Sequence, residues 1–398
     1  MQPTPHMPVY LDNAATTPVD PAVAAVIAEC LTAEGVFGNP ASRTHVYGWD
    51  AEERVEQARS ELADAIHCDP REIVWTSGAT ESDNLAIKGI ALARRSAGRH
   101  IITSKVEHKA VIDSCRWLEQ QGFEVTWLDP AGNGAVDPDA VAAALRPDTV
   151  LVSIMAVNNE LGVCSDLEAI GALTRSAGVP LHVDAAQALG KMPLDLSVLP
   201  VDLMSFSAHK VYGPKGIGAL FVRRRRDLVL EPQMHGGGHE RGLRSGTLAT
   251  QQIAGFGHAC VLAANALTEE CARLTELRAR FLEAVFELPD VKLNGDVEHS
   301  VPGIVNLAFA GVDGEALMLA LAADVACSSA SACTTATIEP SHVLRALGLD
   351  DALAHASIRF SFGRFTTREE VDFAAARVVE TVTRLRVASA TPDLAAGR

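Results

Sequence analysis

The chain has 398 residues, 48% of them hydrophobic and 21% charged, which suits a soluble globular protein with one large domain and a smaller one. A net charge of −16 excludes a protein built to coat nucleic acid, since phosphate binding needs a basic face. No apolar run reaches the roughly 18 residues that span a bilayer, and MQPTPHMPVY lacks the layout of a secretion signal. A cytoplasmic location is therefore expected, with the eight cysteines kept as thiols. No C-x-x-C pair suggests a structural zinc site.

Short β-branched runs predict buried strands at 72–76, 100–103, 124–128, 149–155, 181–184, 203–205 and 218–222. Helical spacing lies between most of them, as at 81–95 and 109–121. This alternation predicts an α/β fold with a mostly parallel sheet covered by helices, its functional loops at the carboxyl ends of the strands. The basic run 223–226 reads either as a solvated strand end or as a docking patch for an acidic partner. From about residue 265 the texture changes. A charged helix is predicted at 267–288, a strand at 304–309, a helix at 314–321 and a small-residue loop at 327–336. The expected division is a large domain at 16–264 and a smaller α+β domain from 1–15 and 265–398. The last dozen residues read as a frayed tail.

Four local patterns carry chemistry. In SFSAHKVYGPKGIG, Lys210 follows Ser207 and His209 and precedes glycines that let a flat ligand approach; a lysine confined in this way can form a Schiff base. In LHVDAAQALG, Asp184 ends a buried strand, where a carboxylate needs a cationic or donor partner, and Gln187 lies three residues on. Helix capping is the other reading of Asp184. In TSGATESDN, a strand gives way to a helix whose free N–H groups form an anion cradle. RSGTL, from Arg244, offers a second anion contact. His108 follows a strand and reads as a helix cap or as a ring-stacking proton shuttle. His235 and His239 lie in a glycine-rich loop with no evident third metal ligand. In CSSASACTTATIEP, Cys333 sits among hydroxyl residues on a loop of about 327–340, a setting that favours a reactive thiol over a packed one. Cys327, nearer an apolar run, reads as structural.

Together these segments resemble the cysteine desulfurases of the IscS/NifS type, a group of fold-type I pyridoxal-phosphate enzymes. The resemblance runs from YLDNAATTPVDP to SIRFSFGRFTT and includes FGNPAS, EHKAV, VNNELG, MHGGGHERGLRSGT and SSASACTTATIEPSHVLRALG. It implies that pyridoxal 5'-phosphate is carried on Lys210. Asp184 would pair with the ring nitrogen, Gln187 would bond the phenolic oxygen, and His108 would stack on the ring. Ala79, Thr80, Ser207 and His209 would hold the phosphate, with Thr247 reaching it from the other subunit of a homodimer. Asn39, Asn159 and Arg359 would bind or orient the substrate, L-cysteine; a planar guanidinium fork suits its carboxylate.

The resemblance further implies catalysis by Lys210, His108 and Cys333, with alanine as product and the sulfur held as a Cys333 persulfide. It implies no resident metal, although Cys333 could briefly ligate a [2Fe-2S] cluster shared with an acceptor. It also implies a sulfur-acceptor or scaffold protein as partner, with neither stable nucleic-acid binding nor a membrane. Cys327 stands where the group usually has a small apolar residue. The tail differs from those that help dock a scaffold, so iron–sulfur assembly, tRNA thiolation and DNA sulfur modification all stay open as destinations. Two other readings also stay open. One is an aminotransferase or selenocysteine lyase on the same scaffold; the other is a non-catalytic binding protein.

Overall fold

The computed structural model describes residues 7–329 and 340–390. In chain order its elements are β1 (Val9–Tyr10), α1 (Pro21–Ala28), α2 (Val46–Ala65), β2 (Ile73–Thr76), α3 (Ala79–Ala93), β3 (His100–Ser104), α4 (Lys109–Gln120), β4 (Glu124–Leu128), α5 (Pro138–Ala144), β5 (Thr149–Ser153), α6 (Leu167–Ser176), β6 (Leu181–Asp184), β7 (Leu203–Ser207), β8 (Gly218–Val222), α7 (Thr250–Val285), β9 (Val291–Asn294), β10 (Ile304–Phe309), α8 (Gly314–Leu321), β11 (Val325–Ala326), β12 (Ser328–Ser329), α9 (His342–Ala346), α10 (Asp351–His355), β13 (Ser357–Ser361) and α11 (Arg368–Ala390).

The predicted strands form one seven-stranded sheet in the order β2-β8-β7-β6-β5-β3-β4. It is parallel except for β8, which runs antiparallel to both neighbours. Helices cover both faces, so the inner strands are buried throughout and read as continuous apolar runs. One face packs Trp75, Phe206 and Phe221 against Phe256 of α7. The other packs Ile87 and Ile90 of α3 with Val111 and Leu118 of α4. Each large side chain hidden in this way contributes about 1.5–3 kcal/mol.

A second core lies where β12-β13-β10-β9 form an antiparallel sheet. Phe281 of α7 meets Phe360 of β13 at 4.9 Å between ring centroids, with α8 and α11 closing the cluster. The amino-terminal segment joins this region: β1 pairs in parallel with β11, and Asp12 bridges to Ser361.

Two sequence expectations need correction. The long helix begins at Thr250 rather than 267 and runs 36 residues without interruption. Its first half is apolar and small, buried against the large core through Ile253, Phe256 and Cys260, so it lacks the polar stripe that marks a surface helix. The carboxyl-terminal helix α11 reaches Ala390, four residues into the segment read as a tail. The basic run is mostly spent inside the chain. Arg223 donates to the carbonyls of Leu196, Leu199 and Val201 while stacking on Phe221, and Arg225 pairs with Asp202 at 2.8 Å. This favours the strand-end reading.

Candidate active site

Loops after the parallel strands enclose a cavity of about 580 Å³. Of the residues singled out from the sequence, it gathers Ala79, Thr80, His108, Asn159, Asp184, Gln187, Ser207, His209 and Lys210. They arrive from separate elements: α3, the cap of α4, the turn after β5, the end of β6, and the end of β7 with its following 3-10 turn, Ala208–Lys210.

The anion end is built by omission. Most helices here start with a side-chain cap, such as Asp166 on α6 or Asp313 on α8. Helix α3 starts at Gly78, which has no side chain to cap it, so its first-turn N–H groups stay available to a ligand. Gly78 has φ +155°, and a Cβ on neighbouring Gly218 would come within 2.6 Å of its Cα. The close approach of these two backbones sets the floor. The Ser207 hydroxyl and the Thr80 side chain add donors. His209 bonds Thr16 at 3.1 Å, and its pKa is pushed down to about 4 by burial and by Lys210 and Lys215, leaving it neutral. Lys215 also lines this end, a contributor not singled out from the sequence because a lysine in a glycine turn resembles any surface lysine.

At the other end Lys210 donates to the Ala14 carbonyl at 2.5 Å. Burial, followed by the nearby Arg359 charge, pulls its pKa down to about 8, against the opposing pull of Asp184 and Asp12. A useful share of free amine therefore exists near neutral pH. Asp184 accepts from the Ala186 N–H at 2.9 Å; burial raises its pKa while His108 and Lys210 restrain the rise. It closes a turn and does not cap a helix, since none follows β6, and its carboxylate lines the cavity. His108 likewise serves both roles: its Nδ1 accepts from the Ala110 N–H at 3.2 Å, capping α4, while the ring lines the cavity. With Nδ1 accepting, the neutral ring carries its proton on Nε2.

Beneath Asp184 lies a buried polar layer that the sequence reading did not single out. Asp83 of α3 is fully enclosed, with neither carboxyl oxygen hydrogen-bonded among the described residues. His182 lies 3.6 Å away, its own ring bridging Ser153 and Ser205. Burial lowers the His182 pKa to about 3 and holds Asp83 well above the usual carboxylate range, with the Asp184 charge adding to the effect on Asp83. Ligand atoms of Asp83, His108 and Asp184 lie within 4.8 Å of one another. Burial disfavours the charged form of Asp83 and so weakens it as a metal ligand, and the trio fits a protonated ring nitrogen at Asp184 better than a cation. The donor set as a whole fits pyridoxal 5'-phosphate: an uncapped helix start for phosphate, a buried carboxylate for the ring nitrogen and a desolvated lysine for the aldehyde.

Some expected participants stand apart from this cavity. Asn39 is exposed and spends its side-chain oxygen on the Ala41 N–H. Thr247 is exposed. Arg244, which opens the segment read as a second anion contact, pairs with Glu81 at 2.8 Å, tying its loop to α3. Arg359 donates to Asp12 at 2.9 Å and to the Asn159 carbonyl at 2.8 Å, and its Nε is buried without a hydrogen-bond partner among the described residues. His239 accepts from the Gly246 N–H at 3.2 Å. Cys327 packs against the second core with its Sγ 3.8 Å from the Met318 sulfur, and burial raises its pKa to about 12, in keeping with a structural role. Cys333 lies outside the described residues.

The family model for class-V aminotransferases matches residues 9–373. The cysteine desulfurase IscS of Pseudomonas aeruginosa (strain UCBPP-PA14) is 60% identical over 388 residues, covering 98% of this chain and 96% of its own. That of Azotobacter vinelandii is 61% identical with the same coverage. Among solved structures, a NifS-like protein superposes with a TM-score of 0.88 at 35% identity, covering 95% of this chain and all 100% of its own. DndA from Streptomyces lividans gives 0.76 at 44% identity, over 88% of this chain and 99% of its own. SspA, solved in complex with cysteine, gives 0.80 at 38% identity, over 90% and 99%. The fold is that of the fold-type I enzymes, and the cofactor of this family is pyridoxal phosphate. The chain belongs to the class-V aminotransferase family and, within it, to the cysteine desulfurases of the IscS kind.

Proposed function

We propose that this protein takes sulfur from L-cysteine, releases L-alanine and holds the sulfur as a persulfide on Cys333 for delivery to an acceptor protein. The observation that carries the reading is the convergence of Lys210, Asp184, Gln187 and His108 on one cavity opposite an uncapped helix start. When bound, pyridoxal 5'-phosphate supplies the electron sink that acidifies the substrate α-carbon and loosens its C–S bond.

The chain's own groups do the rest. Lys210 Nζ, part free amine, takes the α-proton and later returns one. Asp184 would hold the proton of the cofactor's ring nitrogen, with burial disfavouring a charge on Asp83 behind it. His108 moves a proton at Nε2 between substrate and solvent. Arg359 and Asn159 orient the substrate carboxylate, Arg359 exchanging one of its present partners for it. The Cys333 thiolate would attack the substrate sulfur: an S–S bond forms as the C–S bond breaks, and the C–S electron pair stays with the carbon fragment, which takes up a proton to become the methyl group of alanine. Ala79, Thr80, Ser207 and His209 hold the phosphate.

The chain is read as a homodimer in which Thr247 completes the partner's phosphate site. Supporting this, Leu31, Phe37, Val46, Tyr47 and Trp49 are each at least half exposed within one short segment, an apolar patch that a second copy would cover. The two cores support a division near 264/265, with α7 as the shared spine and Val9, Tyr10 and Leu11 joining the smaller unit. Among the described residues no helix is long and apolar enough to cross a membrane. A cytoplasmic enzyme serving iron–sulfur assembly, tRNA thiolation or DNA sulfur modification fits this setting.

The test is product analysis. With cysteine as sole substrate the enzyme should yield alanine and no keto acid; keto acid in its place would mark an aminotransferase. Lys210→Ala should lose both the visible absorbance of the lysine-bound cofactor and alanine formation.

A further inference from the structure

A second lysine stands behind the first. Lys191 follows β6 by seven residues and lines a small enclosed cavity of about 30 Å³, on whose wall Lys210 also appears. Its ammonium hydrogen-bonds the Gln187 side-chain oxygen. Gln187 in turn donates its Nε2 to the Ala14 carbonyl at 2.8 Å, and the same carbonyl accepts from Lys210 at 2.5 Å. Gln187 lines the large cavity and Lys191 the small one, so the carboxamide bridges the two.

This arrangement settles which way the amide points. An ammonium only donates, and so does the amide NH2. With Lys191 on one side and a backbone carbonyl on the other, Gln187 must place its oxygen toward Lys191 and its NH2 toward Ala14 and Lys210. A flipped amide would set NH2 against ammonium and carbonyl against carbonyl. The positive charge on the oxygen side also polarises the amide, strengthening its NH2 as a donor.

We propose that Lys191 is a positioning residue: through its hydrogen bond it holds Gln187 with its NH2 toward the cofactor's phenolic oxygen and, while it is protonated, places a second positive charge behind it, lowering the pH at which the Lys210-bound cofactor loses its imine proton. The proposal rests on Lys210 as the cofactor-bearing lysine.

The groups facing Lys191 are consistent with this role. Lys210 and Arg359 of β13 repel its charge, and Glu270 of α7 attracts it; burial is the larger influence and brings its pKa to about 7. Glu270 is committed elsewhere, bonding Arg364 at 2.9 Å. Cys271 of α7 donates its thiol to the Lys191 carbonyl and leaves the ammonium alone. The Lys191 charge is therefore left with the Gln187 oxygen as its hydrogen-bonded acceptor.

The experiment is a spectrophotometric pH titration of purified holoenzyme without substrate, following the visible band of the lysine-bound cofactor, alongside thermal unfolding. Variants are Lys191→Met, Lys191→Gln and Lys191→Arg. Removing the charge should raise the midpoint by about one pH unit in both Lys191→Met and Lys191→Gln, as expected when a like charge leaves a titrating cation. Lys191→Arg should stay within a few tenths of a unit of wild type. Folded Met and Gln variants with the wild-type midpoint would overturn the proposal. So would loss of folding in Lys191→Arg, which would make the role structural. A wild-type enzyme with no Lys210-dependent band would instead sink the reading of Lys210, and this proposal with it.

Discussion

Glu107 stands next to His108 and is wholly buried, with no ion pair among the described residues. Its Oε1 accepts from the Met155 N–H at 2.9 Å and from Ser104 at 3.1 Å, while Oε2 has no hydrogen-bond partner among the described residues. Burial raises its pKa to about 8, so at neutral pH it is an acid that fixes the turn presenting His108. The sign of its linkage follows. From about pH 4.5 up to about 8 the folded chain keeps a proton that the unfolded chain has released, so this stability is complete at low pH and lost as pH rises through that window. Urea unfolding of the apo-enzyme should show falling stability from about pH 5 to pH 8. Glu107→Gln, which replaces the acid with a neutral group of the same shape, should flatten that slope and cost less than about 1 kcal/mol at pH 7. Asp83→Asn should be similarly mild, because burial disfavours the charged form of Asp83 as well. An unchanged slope in Glu107→Gln would show that Glu107 ionises normally. Neither carboxyl stands out in the sequence: EHKAV draws attention to His108 and TSGATESDN reads as an anion cradle, and only the fold shows Glu107 and Asp83 buried.

Among the elements, the loop between β8 and α7 depends most on a single contact. Glu240 is held bidentately by Arg59 of α2, both distances 2.9 Å, and also accepts from the Trp75 N–H at 2.8 Å. Both side chains are almost completely buried, at 5% and 3% exposure. Glu240 and Arg241 both adopt positive φ, 50° and 57°, a strain that this anchoring offsets. Removing one partner leaves a buried charge uncompensated, so Arg59→Met should destabilise the protein by about 3–5 kcal/mol in chemical unfolding. Arg59→Met combined with Glu240→Leu should recover much of that loss; a double variant as unstable as the single would mean that packing, not charge, holds the loop. At this scale the sequence was legible where periodicity was clean. The strands of the parallel sheet came out nearly residue for residue because both faces are buried. Helix α2 was not assigned and the start of α7 was placed too late, because α2 breaks its stripe with charges at Arg54 and Arg59 that turn inward, and α7 begins as a buried, small-residue helix.

At the scale of the whole molecule, the cavity draws on both ends of the chain. Ala14 caps the Lys210–Gln187 pair, and Asp12 holds Arg359 from β13. Motif reading found most of the lining residues because their chemistry is local to single loops. It could not find what depends on assembly: Lys191 behind Gln187, Asp83 beneath Asp184, and Asp12 against Arg359. The exposed apolar segment also belongs to this scale. On the proposed homodimer, replacing Tyr47 and Trp49 together by Glu should give monomers in sedimentation. Cofactor affinity should then fall roughly tenfold, as expected if Thr247 reaches the phosphate site across the proposed interface. A double variant that stays dimeric would move the interface elsewhere.

The central claim is that sulfur passes from bound cysteine to the Cys333 thiol before it leaves the enzyme. The most direct measurement is intact-protein mass spectrometry after a single turnover with cysteine and no reductant. The wild-type chain should gain one sulfur atom, mapped to Cys333. Cys333→Ser should keep its cofactor absorbance, gain no sulfur and release no sulfide. A Cys333→Ser enzyme that released sulfide at the wild-type rate would contradict the account.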